Sequence, residues 1–489
     1  NLTGIALTIA PLNYNPAVYG VDLAHSTGIG LTFNQAIKAG SGEVTLRITG
    51  AGGTVVQNWG VGSSITYGKS SYGDTISLSL ASNLSNDTVY HLSYPSGAFT
   101  NIGGDVSYVG TAYTFDSKIN VNQLFYWGAQ TYGKFGLNNL TWYSSPVQLP
   151  GTTWERIDIG WQGTSEGGHS IATKSDGTLW TWGVNSNGDL GHNNRTQRSS
   201  PVQVPGTTWT KVIHGGRMNC QAIKTDNTLW VWGQNDEGHL GINVVGHRSS
   251  PCQVPGTWSA VNTSFAVMMG VRTNGTLWAW GTNGSGQLGL NQSAPTRYSS
   301  PVQIGSSTDW STSGAGKIYI DYTAAAVKTD GTLWMWGSNN QGQLGQNGPT
   351  NTQRSSPVQV PGTTWRSISN VSNGTIASKT DGTLWSWGNN AQGQLGQNNE
   401  TAYSSPTQIP GTWSGVIGGA NYHGLATKTD GTLWGWGDNE EGQLGQNNRT
   451  QYSSPVQMGS STGWSTTVGD QKISAGRFSG YSSAGILYD

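Results

Sequence analysis

The stretch Lys428-Thr-Asp-Gly-Thr-Leu-Trp-Gly-Trp-Gly-Asp-Asn-Glu-Glu-Gly-Gln-Leu-Gly445 decides the fold, because near-copies of it recur down the chain. Its closing Trp-Gly pair returns at Trp127, Trp182, Trp232, Trp280, Trp336, Trp387 and Trp436. A spacing of roughly 50 residues, held throughout, marks a repeat architecture. Each copy carries further fixed features. A Gly-x-x-Gly turn follows the Trp, from Gly133/Gly136 to Gly442/Gly445, and then Ser-Ser-Pro-x-Gln, from Ser144–Gln148 to Ser453–Gln457. A lone Trp closes each segment, at 154, 209, 258, 310, 365, 413 and 464.

The physics of one unit is short strands and tight turns. Asp430-Gly431 is a hairpin signal, since both residues tolerate the positive φ of a two-residue turn. Equivalent sites read Asp176-Gly177, Asn274-Gly275, Asp330-Gly331 and Asp381-Gly382, with Asp226-Asn227 as the variant. After the turn, Trp434 and Trp436 stand two apart, so on a strand they share a face. Six units hold this Trp-x-Trp pair, and the first has Phe125 and Trp127. A buried Trp removes about 150–250 Å² from water. Layers of tryptophan therefore replace a core of Leu and Ile, which explains how a chain only 34% hydrophobic folds.

Each unit has room for about four strands, and one four-stranded sheet buries neither face. Radial stacking of such sheets around a channel, as in β-propellers, solves this. Seven units predict seven blades. The end, Gly485-Ile-Leu-Tyr-Asp489, aligns with Gly431-Thr-Leu-Trp-Gly435, while the first unit opens at Leu124 without a preceding Asp-Gly arm. The two ends are thus expected to share one blade and close the ring. The Leu-Trp-x-Trp-Gly-x-Asn-x-x-Gly-Gln-Leu-Gly pattern is similar to the regulator of chromosome condensation repeat family. That resemblance implies a seven-bladed propeller over residues 123–489. It does not carry function, since one fold hosts many functions.

Residues 1–118 do not follow the repeat. β-prone runs at Ile29–Phe33, Glu43–Ile48, Thr75–Leu80, Val89–Tyr94 and Ala112–Phe115, separated by turns, predict a β-sandwich. Gly28–Gly42 and Tyr90–Phe115 resemble a bacterial surface-layer type of Ig-like domain, which implies a spacer or anchor on an extracellular protein. Ser117–Asn122 reads as a short hinge. The fold class is therefore all-β: an N-terminal Ig-like β-sandwich followed by a seven-bladed propeller.

Composition narrows the function. Net charge is −1 and only 10% of residues are charged, so no basic patch or tail points to nucleic acid. No apolar run is long enough to span a membrane as a helix. Cys220 and Cys252, the only cysteines, make no disulfide framework and no metal cluster. The chain begins at Asn1 rather than Met, which is compatible with a removed leader.

A search for chemistry yields little. His169 and His423 share a unit position that elsewhere holds Asn219, Val267, Thr323 or Gly374, so a hydrogen-bonded turn histidine is expected there. His192, His214, His239 and His247 lie on different expected blade edges and lack companions at zinc-ligand spacing. Asp236-Glu237 and Asp438-Asn-Glu-Glu441 precede the Gly-x-x-Gly turn and read as solvated loops without calcium-loop spacing. No catalytic set, metal or cofactor is expected. Glycan hydrolysis would need paired carboxylates, which do not recur. One set of residues suggests binding. Just before each Ser-Ser-Pro stands a large planar side chain: Tyr143, Arg198, Arg248, Tyr298, Arg354, Tyr403 and Tyr452. Tyr and Arg are frequent binding anchors and stack on planar ligands. The competing expectation is that each packs on the neighbouring blade.

These readings point to a non-enzymatic, extracellular structural or binding protein. The favoured form is a virion (phage) fibre or decoration protein that presents its propeller to a host-surface protein or glycan. Residues 1–118 would attach to virion or cell-surface structural proteins, with self-association through their sheet edges left open. The alternative is a bacterial cell-surface adhesin or interaction scaffold. A guanine-nucleotide exchange factor is a weaker fit, because the units show no large insertion and no basic tail.

Overall fold

The computed structural model describes residues 5–7, 18–24, 28–33, 36–48, 53–70, 73–79, 81, 88–95, 97–101, 112–117, 122–130, 132–151, 153–160, 168–214, 218–264, 266–292, 296–313, 316–348, 350–420, 422–467, 473–475 and 482–487. The chain divides into two domains, Asn1–Val121 and Asn122–Asp489. Among the described residues every regular element is a strand.

The first domain is built from two main sheets. One orders Ile5–Leu7, Val18–Ala24, Gly28–Phe33, Gly73–Ser79 and Thr66–Ser70; the other orders Ala112–Ser117, Thr88–Ser93, Glu43–Ile48 and Val55–Gly60. Val44, Leu46, Trp59 and Leu92 from one sheet and Ile76 and Leu78 from the other are buried, as the inner faces of a sandwich should be. Trp59 Nε1 donates across to the Ser79 carbonyl at 2.7 Å. All five expected runs overlap observed strands. The Val55–Gly60 strand has no sequence signature, because Val55 and Val56 are exposed and only Trp59 turns inward.

The second domain holds seven antiparallel sets of four strands, consistent with seven blades. Two sets share the long strand Arg248–Ser264. In the second blade the order is Trp154–Ile159, His169–Lys174, Leu179–Gly183 and Arg198–Val204. The first strands of successive blades pack on one another all the way round, so they line the axis, and the Ser-Ser-Pro strands form the perimeter. Proline in that outermost strand removes an edge N–H and blunts the edge against pairing. Each Gly-x-x-Gly segment is a turn closed by the fourth residue's amide on the first carbonyl, at 2.9 Å for Gly136 on Gly133 and 3.0 Å for Gly445 on Gly442.

Blades meet tryptophan to aliphatic. Ile171, Leu179 and Val204 of the second blade pack on Trp209, Cys220, Ala222 and Trp232 of the third. Ile376, Leu384, Leu395 and Ile409 of the sixth pack on Trp413, Ala426 and Trp436 of the seventh. The two tryptophans of each pair do share a face: Trp413 lies 6.5 Å from Trp434 and 5.9 Å from Trp436. Each inner Trp also donates Nε1 to the Gly-x-x-Gly turn of the preceding blade. Trp182 bonds Lys134 O, Trp232 Asp189 O, Trp280 His239 O, Trp336 Gln287 O, Trp387 Gln343 O and Trp436 Gln394 O. Trp127 bonds Gln443 O at 2.7 Å, which returns the series to its start. These seven links close on themselves, consistent with a ring of seven blades.

At the hairpin-turn end of six blades a cation is stacked between rings. Lys174 Nζ lies 4.9 Å from Trp154 and 4.7 Å from Trp180, and Arg272, Lys328, Lys379, Lys224 and Lys428 repeat the arrangement. The outer Trp is oriented from its turn. Thr178 donates its amide and hydroxyl to Asp176, and Trp180 Nε1 donates to the Thr178 hydroxyl at 2.8 Å. In the closing blade Phe125 replaces the outer Trp, and the cation's place is taken by Leu487, packed with Trp127 and Trp464.

The ends meet in one blade, ordered Ile473–Ala475, Ser482–Leu487, Gln123–Gly128 and Tyr143–Leu149. One expectation is corrected here. The C-terminal strand is not a further Leu-Trp strand; Gly128 pairs with Ser482 and Gln123 with Leu487, which makes it the second strand, equivalent to His169–Lys174. The stretches after Trp310 and Trp464, ahead of the innermost strand, are longer than their counterparts in other blades. Each interrupts the innermost strand: Trp310 bridges Lys328 before Ile318–Ile320, and Trp464 bridges Leu487 before Ile473–Ala475.

Candidate functional site

The seven Tyr/Arg positions are structurally equivalent. Tyr143, Arg198, Arg248, Tyr298, Arg354, Tyr403 and Tyr452 each pair with the glycine that follows the inner Trp, from Gly128 to Gly437. They stand at the start of the perimeter strands, on the rim that carries the Gly-x-x-Gly turns. Arg354 is exposed and the other six are half-buried. Tyr298 touches two neighbouring interface cores, as does Tyr403. Their hydroxyls are held locally: Asn139, Asn399 and Asn448 Nδ2 donate to Tyr143, Tyr403 and Tyr452 at 3.1 Å, and Tyr298 donates to Gln292 at 2.7 Å. Tyr143, Tyr298 and Tyr403 pack on the interface cores and leave an edge in solvent, while Arg354 stands exposed. Spaced one per blade around the perimeter, the seven positions suit repeated contacts with an extended surface rather than one enclosed ligand.

The rim loops are rigidly built. Asn185 donates Nδ2 to the carbonyls of Asn194 and Thr196 and accepts the Leu190 amide, and Asn235, Asn390 and Asn439 do the same. Gln130 takes this role in the first unit. The loop is then sewn to the next blade through an Asn with left-handed φ. Asn447 donates its amide to Ser144 O at 2.9 Å, and Asn138 does so to Ser199 O.

Several titratable groups of this rim are buried. His169 begins a strand rather than a turn; its Nε2 lies 3.0 Å from Cys220 Sγ, both wholly buried. Burial pulls the imidazole down to about 3 and pushes the thiol well up, so this pair holds a neutral contact and no thiolate. His423 Nε2 meets Ser483 Oγ at 3.1 Å in the same way. The residue after the first turn glycine is buried in every unit, as Lys134, Asp189, His239, Gln287, Gln343, Gln394 and Gln443. Desolvation drives Lys134 down to about 7, Asp189 up to about 7 and His239 down to about 4. His247 faces Asp236 at 3.6 Å and His192 Nε2 meets Thr181, while the His214 side chain lies outside the described residues. Asp438 is buried rather than solvated and accepts the Glu440 amide. Among the described residues no three His, Cys, Asp or Glu come together.

Three residues escaped the sequence reading. Tyr132, Leu140 and Trp142 of the first unit are exposed at 40%, 62% and 45%, all on the rim loop before Tyr143. Their signal was present as departures from the repeat. Other units carry Asn187, Gln341 or Gln392 where Tyr132 stands, and Gln197, Gln353 or Gln451 where Trp142 stands.

The profile of the Regulator of chromosome condensation (RCC1) repeat matches residues 176–221, 274–317, 330–375, 381–423 and 430–477, and that of a bacterial Ig-like domain matches 6–117. The chain carries regulator of chromosome condensation repeats behind a bacterial Ig-like domain. Each matched repeat begins at an Asx-Gly turn and runs through the third and fourth strands of one blade into the next. That offset is what leaves half a blade at each chain end. Solved propellers agree on the fold. Prp20p of Saccharomyces cerevisiae superposes with a TM-score of 0.63 at 18% identity, covering 76% of this chain and 92% of that one. Human WBSCR16 gives 0.61 at 19% identity, covering 75% and 99%. Among curated proteins, the X-linked retinitis pigmentosa GTPase regulator homolog of Caenorhabditis elegans is 38% identical over 76 residues, which are 15% of this chain and 5% of that protein.

Proposed function

We propose that this protein is a non-enzymatic, surface-displayed structural and binding protein, in its favoured form a virion (phage) fibre or decoration protein. The observation that carries this reading is the pairing of a bacterial Ig-like domain with a near-neutral, self-closed propeller. Ig-like domains of this type are typical of surface proteins, and repeat propellers serve as interaction platforms. The Ig-like domain would be the attached end, joined to virion or cell-surface structural proteins. The propeller would present its rim, with the Tyr/Arg positions as contacts for a host-surface protein or glycan. A rigid ring suits this task, because binding then orders little and loses little affinity to side-chain and loop freezing. Bacterial cell-surface display as an adhesin or scaffold is the second reading and rests on the same Ig-like domain.

Exchange of guanine nucleotides has less support. Prp20p is described with binding properties toward Gsp1p and histones. Here the units differ in length by a few residues, and a net charge of −1 offers little to nucleic acid or its basic partners. Immunogold electron microscopy of the native source, with antibody against the propeller, tests the reading. Regular labelling on a capsid, tail or cell surface is expected; label confined to the cytoplasm would overturn it.

A further inference from the structure

We infer that the rim loop of the first unit is a saccharide-binding platform, in which Tyr132, Leu140 and Trp142 receive the apolar face of an uncharged sugar. This rests on the attachment role proposed above and names its site and ligand class.

The fold does not require these residues. Units two, six and seven build the same loop with the same length and the same turn. Asn139 Oδ1 accepts the Thr141 amide at 3.1 Å, and Asn194, Asn399 and Asn448 accept those of Thr196, Thr401 and Thr450 at 2.8–2.9 Å. Where unit one has Leu140 and Trp142, these loops carry Arg195 and Gln197, Glu400 and Ala402, and Arg449 and Gln451. Three polar or small versions of the loop thus stand in one chain as controls. A Tyr, a Leu and a Trp each 40–62% exposed at the corresponding points set this loop apart and give it an apolar surface that a ligand can cover.

The loop is preorganised. Trp142 Nε1 donates to the Gln130 carbonyl at 2.6 Å, and Gln130 Nε2 donates to the carbonyls of Asn139 and Thr141, on either side of Leu140. Tyr132, two residues beyond Gln130, is held at φ +55, a left-handed conformation that costs an aromatic residue about 1 kcal/mol or more. The Gln197 amide of the next blade donates to the Tyr132 carbonyl at 3.3 Å.

The surroundings select the ligand. Beside the rings stand Asn138, Thr141 and Gln197, all exposed and uncharged. Aromatic faces take the C–H side of a pyranose while amides and hydroxyls exchange hydrogen bonds with its rim, and these three neighbours carry no charge that would favour an anion. Three side chains fall well short of the roughly 800 Å² per partner of a standard protein interface. Amphipathic Trp and Tyr, rigid and with a polar handle, suit a small amphipathic ligand.

The test uses the full chain and two substitutions, Trp142→Gln and Leu140→Arg, that reproduce unit two; losing the Trp142 Nε1 bond should lower the urea midpoint only slightly and leave the folded ring intact. Binding is read on an array of immobilised neutral oligosaccharides and on bacterial envelopes treated with periodate or with protease. Expected are retention on neutral glycans, loss on periodate but not protease treatment, and a loss of roughly tenfold or more for Trp142→Gln. Equal retention of the variant would overturn the platform while leaving surface attachment standing. Binding removed by protease alone would replace the sugar with a protein partner and overturn the ligand class. Retention by nothing would overturn both the platform and the attachment role.

Discussion

Trp387→Phe, combined with Gly345→Ala, measures the fit on which every blade interface depends. Trp387 is fully buried; its Nε1 donates to Gln343 O at 2.9 Å, and its ring lies 5.8 Å from Trp365. Gly345 has φ +66, and a methyl on its Cα would stand 2.8 Å from that Nε1. The phenyl removes the N–H and part of the ring. The Gln343 carbonyl keeps the Thr375 hydroxyl at 3.3 Å, so the lost hydrogen bond costs about 1 kcal/mol. The space left behind adds about 2 kcal/mol, for about 3 in all. Gly345→Ala alone costs about 1 kcal/mol for its left-handed backbone and about 2 for overpacking on the indole. In the Phe background the overpacking vanishes. The double variant should therefore lose about 1–2 kcal/mol less than the sum of the singles. Urea denaturation of the four proteins at matched slope reads this directly. Additivity to within about 0.5 kcal/mol would refute the proposed indole-on-glycine contact.

Two further outcomes concern pH. His169 and His423 are held neutral, with folded values lowered to about 3, so the unfolded chain binds more protons between there and the ordinary value near 6.5. Their contribution is fully present above that ordinary value and is lost as pH falls through the window. His423→Asn, the residue of the equivalent Asn219, should flatten the acid limb of a stability–pH profile, and an unchanged limb would contradict the assignment. Lys134 is lowered to about 7 by burial, so the folded ring gains stability as pH rises from there toward the unfolded value near 10.5. Lys134→Gln, matching Gln287, Gln343, Gln394 and Gln443, should raise the neutral-pH melting temperature and remove that slope; a lower melting temperature would contradict it.

Much of the propeller is legible in the sequence because its determinants are local. Gly-x-x-Gly and Asx-Gly are turns whatever surrounds them, and Trp-x-Trp shares a face on any strand. The place of Ser482–Leu487 was not legible by similarity. It lacks both the Trp pair and the terminal Lys, and its identity is set by pairing with Gln123–Gly128, which lies more than 350 residues earlier. The cation between two indoles was hidden for the same reason: Lys428, Trp413 and Trp434 come from three strands that only the blade brings together. The Tyr/Arg positions could be aligned by eye, yet their half-buried state depends on how far the neighbouring blade overlaps them. Tyr132, Leu140 and Trp142 were visible as breaks in a repeat, and their exposure became clear only when their loop was seen to match polar loops in other units.

The central claim is a ring closed by its own ends, since a rigid rim exists only if the ring holds. Hydrogen exchange of the intact chain tests it most directly. The account predicts that amides of Gln123–Gly128 and Ser482–Leu487 are protected together and as strongly as those of Leu384–Gly388 in the sixth blade. Rapid exchange at Ser482–Leu487 while Leu384–Gly388 stays protected would contradict it.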